Sequence, residues 1–140
     1  MENENIINVY TDGGARGNPG EAAYGFVIYD KNENIIFKQG KKIGIATNNT
    51  AEYMGIIGAL TYIKDNLKTL NKIYFFLDSQ LVANQLMGKY KVKDENLRNL
   101  FFSVKNLEEE INTQIVYQSI PRELNKDADK LVNLALDGNI

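Results

Sequence analysis

Apolar residues along this 140-residue chain switch between strand and helix spacing, and the switches outline its elements. Residues 5–11, NIINVYT, form an apolar run that predicts a buried strand ending at Asp12. The Gly-rich segment GGARGNPG that follows predicts a turn. AYGFVIYD and ENIIFKQGKKI predict two further strands, joined by a hairpin turn around Asp30 to Asn34. From Thr50 to about Lys64 the period changes, with Met54, Ile57, Ala59, Leu60 and Ile63 at helical intervals. KIYFFLD, residues 72–78, predicts a short strand, and SQLVANQLM a short helix stopped near Gly88. Residues 95–110 predict a helix with Leu97, Leu100, Phe101, Val104 and Leu107 on one face. TQIVYQSI alternates as a strand does, and Leu124, Ala128, Leu131, Val132, Ala135 and Leu136 form the stripe of a last helix.

The resulting order is β-β-β-α-β-α-α-β-α. Short connections make the first three strands antiparallel, and the later β-α-β passages favour parallel strands with crossovers. No repeat, low-complexity tract or linker interrupts the chain, so residues 1–140 read as one α/β domain with a mixed sheet.

Composition narrows the chemistry more than the class. Hydrophobic content of 44% and charged content of 24% describe an ordinary folded chain. The absence of Cys excludes disulfides, zinc–thiolate sites and thiol nucleophiles. The absence of His excludes Ser-His-Asp triads, histidine general bases and H-E-x-x-H zinc sites. Catalysis would have to rest on carboxylates, Lys, Arg, hydroxyls or a metal. The start, MENENIINVYTD, has no basic segment before an apolar one, and no apolar run reaches membrane-spanning length; a cytosolic location is the expectation. A net charge of −2 and a pI near 5.2 argue against strong non-specific nucleic-acid binding, though not against a local basic surface.

Four acids stand beside small polar residues at predicted element boundaries: Asp12 in YTDGGARGNPG, Glu52 in TNNTAEY, Asp78 in FFLDSQ and Asp129 in NKDADKL. Each has a plain structural role available. Asp12 could open the turn, and Asn49-Thr50-Ala51-Glu52 resembles a capping box with Glu52 returning to the cap. Asp78 could cap the helix that follows it, and Asp129 could complement a helix dipole in the first turn. Together they read differently. Asp12 and Asp78 both end apolar strands, which adjacent parallel pairing would bring to the same sheet edge. Glu52 and Asp129 each begin a helix able to pack beside that edge. Four carboxylates in one cleft repel strongly unless cations neutralise them, and an all-oxygen set suits Mg²⁺ or Mn²⁺.

GGARGNPG is not a phosphate loop, since it lacks GKS or GKT and feeds a strand. It is either a tight turn or a loop whose bare backbone can approach a sugar–phosphate groove. Lys89, Lys91 and Lys93, with Tyr90 and Arg98, form the densest basic run, which reads equally as a solvated loop or as phosphate contacts.

At these motifs the chain resembles the type 1 ribonuclease H family. YTDGGARGNPG, TNNTAEY, LDSQLV and NKDADKL follow the family's order and spacing over almost the whole chain. The resemblance implies a ribonuclease H-like five-stranded mixed sheet, order 3-2-1-4-5, flanked by helices. It implies an endoribonuclease that hydrolyses the RNA strand of RNA–DNA hybrids with two Mg²⁺ or Mn²⁺ ions, leaving 5′-phosphate and 3′-hydroxyl ends. Asp12, Glu52, Asp78 and Asp129 match the family's catalytic, metal-binding acids. Gly14, Ala15, Arg16 and Asn18 match the loop that meets the RNA minor groove, and Asn48, Asn49 and Gln80 match residues that recognise the hybrid. Thr47 matches part of a DNA-phosphate pocket, where Asp94 stands in place of an expected Asn. Two departures follow. Many relatives carry a basic helical protrusion after the third acid, whereas GKYKVKDENL here passes directly into the next helix. Many also carry a mobile His before the fourth acid, where SIPRELN offers Arg122 and Glu123. The chain therefore resembles the compact form, expected to act as a monomer without a membrane.

Two rival readings come from other classes. One is a non-catalytic hybrid- or duplex-binding module of the same fold, which gains nothing from a crowded anionic cleft. The other is a hydrolase of small phosphorylated substrates, for which no lid or second domain is evident.

Overall fold

The computed structural model describes residues 5–140. Five strands, β1 (Ile6–Gly17), β2 (Gly20–Tyr29), β3 (Ile35–Ala46), β4 (Lys72–Leu77) and β5 (Gln114–Ser119), alternate with four helices as the apolar periods predict. The helices are α1 (Asn48–Asn66), α2 (Gln80–Leu86), α3 (Glu95–Ile111) and α4 (Lys126–Leu136). A 3₁₀ turn, Arg122–Leu124, precedes α4. The sheet order is β3-β2-β1-β4-β5. β1, β2 and β3 pair antiparallel, and β4 pairs parallel with both β1 and β5.

The sheet is covered unequally on its two faces. Ile7 and Val9 of β1, Phe26 and Ile28 of β2, and Ile73, Phe75 and Leu77 of β4 are buried with Ile56, Leu60 and Ile63 of α1 and Val104 of α3. Each such side chain stabilises the fold by ~1.5–3 kcal/mol relative to exposure. On the opposite face α4 lays Val132, Ala135 and Leu136 over Ala23 in a smaller cluster. Among the described residues no helix is long and apolar enough to cross a membrane.

Two elements differ from expectation. β1 does not end at Asp12: Asp12 pairs with Gly25, and the ladder continues to Gly17 opposite Gly20. Most of GGARGNPG is therefore strand, and the turn is confined to Asn18 and Pro19, joined by a cis peptide bond. Glycine composition suggested a turn, but the antiparallel partner satisfies the backbone, and the glycine at position 13 serves close packing against α1. Leu124 is not part of the last apolar stripe. It lies in the 3₁₀ turn and is 64% exposed, because α4 begins only at Lys126.

Helix caps also differ. Thr47 caps α1, its Oγ1 accepting from Thr50 N at 3.2 Å, so the box at Asn49 to Glu52 does not form. Glu52 is the fifth helical residue. Ser79, rather than Asp78, caps α2 by accepting from Val82 N at 3.1 Å. Asp94 caps α3, accepting from Leu97 N at 2.9 Å. Hydroxyls thus take the capping roles at α1 and α2, and Glu52 and Asp78 are left free of them.

Candidate active site

The parallel register places Tyr10 opposite Phe76. Asp12 and Asp78 each follow two residues later, so β1 and β4 deliver both carboxyls to one end of the sheet. α1 brings the third. A Cβ on Gly13 would collide with the Ala51 carbonyl, so only glycine lets α1 press against β1 here. That approach sets Glu52, the next residue, against Asp12. One oxygen from each of Asp12, Glu52 and Asp78 lies within 4.8 Å of the others.

α4 brings Asp129 from the other face by the same device. Gly25 and Gly40 are neighbours across β2 and β3. A Cβ at either would stand 2.7 Å from Ala128 O or 2.6 Å from Leu131 O of α4. Asp129 stays outside the three-carboxylate group, yet its charge reaches Asp12.

The electrostatics of the group are unfavourable as it stands. Burial and then the Asp78 charge push Asp12 up to about 7 from 3.8, against a 2.9 Å hydrogen bond donated by Gly13 N. Glu52 is pushed well above the usual carboxylate range, first by burial and then by the charges of Asp12 and Asp78. Arg122 and Gly13 N–H pull it partly back. Glu52 Oε1 is buried and accepts no hydrogen bond. None of the ion pairs among the described residues involves these acids. Buried carboxylates are ordinarily paired or bound to metal. A set of oxygens without nitrogen or sulfur, mutually repelling and lacking a cation, fits hard divalent ions such as Mg²⁺ or Mn²⁺.

The residues matched to substrate contact fall in three places. Asn48 Oδ1 accepts from Ala15 N at 2.8 Å, and Asn48 N donates to Asn18 Oδ1 at 2.9 Å. These bonds tie Ala15 and Asn18 of the β1–β2 hairpin to Asn48 at the start of α1, four residues before Glu52. Gln80 is exposed at the start of α2, two residues beyond Asp78. The Arg16 guanidinium pairs with Asp137 at 2.8 Å at the surface and reaches Asn133 Oδ1 at 3.5 Å.

Of Arg122, Glu123, Lys89, Lys91 and Lys93, only Arg122 acts on the carboxylates, through its charge on Glu52. Glu123 instead lines a separate cleft of about 710 Å³ with Tyr10, Tyr29 and Lys126. Lys89, Lys91 and Lys93 lie exposed between α2 and α3. The last two border a shallow cleft with Tyr90, Arg98, Phe101 and Phe102. Asn125 was not singled out from sequence, yet it is 1% exposed and donates to Asp78 Oδ2 at 3.3 Å. Its place four residues before Asp129 was visible; its inward side chain was not.

A family model described as reverse transcriptase-like matches residues 10–135. Ribonuclease HI of Halobacterium salinarum is 38% identical over 131 residues, which cover 94% of this chain and 64% of that protein. The crystal structure of LC11-RNase H1 in complex with RNA/DNA hybrid is 41% identical, covering 94% of this chain and 97% of that one, with a TM-score of 0.89. The chain belongs to the type 1 ribonuclease H family. Another structure resembling this family member is the N-terminal RNase H domain of Rv2228c from Mycobacterium tuberculosis, 35% identical, with a TM-score of 0.89 over 97% of this chain and 96% of that one. The chain spans 35% of the full Rv2228c protein, which bears the name bifunctional protein, and just under two thirds of the halobacterial relative. The ribonuclease H segment is thus the part that is shared.

Proposed function

We propose that this protein is a ribonuclease H that cleaves the RNA strand of RNA–DNA hybrids with two divalent cations, acting in the cytosol as a monomer. The observation that carries the reading is the convergence of Asp12, Glu52 and Asp78 within 4.8 Å around a buried, unpaired Glu52 oxygen. Such an arrangement is costly unless cations occupy it. Its similarity to LC11-RNase H1, crystallised with an RNA/DNA hybrid, supports the substrate class.

In this reading Asp12, Glu52 and Asp78 hold the cations and Asp129 completes the set from α4. When bound, Mg²⁺ or Mn²⁺ would assist attack of water on the RNA phosphate and neutralise charge on the departing 3′-oxygen, giving 5′-phosphate and 3′-hydroxyl ends. The chain's residues supply placement. Gly14, Ala15, Asn18 and Asn48 present a surface already braced by its own hydrogen bonds, so little order is lost when a minor groove docks on it. Asn49 and Gln80 flank the acids with amides able to bond a ribose 2′-hydroxyl, the group that separates RNA from DNA. Arg122 places a positive charge beside Glu52, where it can meet the phosphate. Lys89, Lys91 and Lys93 provide a screened attraction for the backbone in place of a basic protrusion.

A panel of labelled RNA–DNA hybrid, RNA duplex, DNA duplex and single strands, each with Mg²⁺ or Mn²⁺, tests this. Cleavage of the hybrid's RNA strand that disappears in Asp78→Asn, with hybrid binding retained, is the expected result. Hybrid binding by the parent protein without cleavage under either metal would replace the enzyme with a binding module.

A further inference from the structure

Asn125 occupies the residue before α4, where Asn is among the side chains that best cap a helix. It makes no cap hydrogen bond. Its side chain turns inward instead, and Nδ2 donates to Thr11 O at 2.8 Å and to Asp78 Oδ2 at 3.3 Å. The amide orientation follows from chemistry: reversed, Oδ1 would face two acceptors. Oδ1 is left buried without a donor. An unsatisfied buried acceptor destabilises a fold, and so does a forgone cap. Two sacrifices at one residue point to a role other than stability.

The backbone of the same residue reaches the other half of the site. Asp129 N donates to Asn125 O at 3.1 Å, and Asn125 N donates to Arg122 O at 2.9 Å. One residue therefore touches the Asp78 carboxylate, the peptide preceding Asp12, the amide of Asp129 and the carbonyl of Arg122. β1, the end of β4, the 3₁₀ turn and α4 meet on it.

We infer that Asn125 is a positioning residue that orients Asp78 for cation binding and ties Asp129 and Arg122 to the same frame. This rests on the proposed function. The amide suits the task for a stated reason. It carries two donors on a short, neutral stem, so it bonds a main-chain carbonyl and a carboxylate together while leaving the carboxylate's charge for the cation. Ser has a single donor, an ionised Asp has none, and Lys or Arg would compete with the metal. Outer partners that fix a ligand's orientation commonly govern metal affinity by about 10–100-fold.

The test compares Asn125→Ala, Asn125→Asp and Asn125→Ser with the parent. Folding is checked by circular dichroism and urea unfolding, and Mn²⁺ binding to the protein alone by electron paramagnetic resonance. kcat and KM for hybrid are measured across a Mn²⁺ titration. Mn²⁺ affinity should fall by about 10–100-fold in the Ala and Asp variants and less in the Ser variant. kcat should fall while KM for hybrid stays put. Variants that unfold more easily but bind Mn²⁺ and turn over like the parent would reduce Asn125 to a structural residue and overturn the inference. Should the Ala and Asp proteins not fold, the Ser variant decides by the same criterion. A parent that binds Mn²⁺ yet cleaves nothing defeats the proposed function alone, because the Mn²⁺ comparison still rules on Asn125.

Discussion

Neutralising Asp12 should stabilise the metal-free protein while abolishing its chemistry. The Asp12 carboxyl sits at about 7 in the fold, against 3.8 for an unperturbed group. Below pH 3.8 it is protonated both folded and unfolded and contributes nothing. Between 3.8 and about 7 the folded protein keeps a proton that the unfolded chain has released. Stability then falls as pH rises, by about 1.36 kcal/mol per pH unit. Above about 7 the penalty is complete, and the roughly three-unit shift makes it about 4 kcal/mol. Glu52 is raised in the same direction, so the whole protein should slope at least as steeply.

Asp12→Asn removes that contribution and relieves Glu52 of the like charge that raises it most. In EDTA, urea unfolding of parent and variant should nearly coincide at about pH 4 and diverge by up to about 4 kcal/mol at about pH 8, the variant being the more stable. For a chain of this length that is a shift in Tm on the order of 10 °C. Excess Mg²⁺ should recover the parent and leave the variant unmoved. Parallel pH curves for the two proteins, or a variant less stable above neutrality, would refute the reasoning, since either result means that Asp12 is not strained by its neighbours.

Other residues separate chemistry from folding in different ways. Glu52→Gln should leave α1 intact, because Thr47 is its cap, yet lower kcat by about 100-fold or more, read from turnover beside a thermal melt. Arg122→Ala should slow turnover by about 10-fold and move the pH–rate profile upward, since Glu52 loses the cation that pulls it down; unchanged turnover removes Arg122 from the site. Replacing Lys89, Lys91 and Lys93 by Gln should raise KM for hybrid and leave kcat unchanged. Its salt dependence should flatten by about one unit of log–log slope for each phosphate no longer neutralised.

Much of this molecule was legible because local period and pairing rules agreed. Helical spacing at Ala59, Leu60 and Ile63, the short apolar run at residues 72–78 and the alternation in TQIVYQSI produced the element order; hairpins and crossovers then left few topologies. What failed to read was settled across long sequence separations. Position 13 of β1 is glycine because Ala51 comes close, an approach that composition cannot announce. Thr47 and Ser79 displaced the predicted caps because a hydroxyl adjacent to the helix start suffices there, which freed Glu52 and Asp78. Asn125 carries no local signal of its place in the site: its backbone merely precedes α4. Its side chain answers to Thr11, 114 residues away.

Those errors share a direction. Glu52 and Asp78 each had a cap role available, and Thr47 and Ser79 hold those roles; Asp12 opens no turn, because β1 runs on to Gly17. The caps of α1 and α2 are complete without Glu52 and Asp78, and the fold bears the repulsion among the carboxylates. Cation binding reverses the balance, since a ligand present at about 100 times its Kd stabilises the folded state by ~2.7 kcal/mol. That is comparable with the penalty at Asp12 alone. Stability and occupancy are therefore linked in this fold, and the most strained carboxyls are the ones to which a cation gives most.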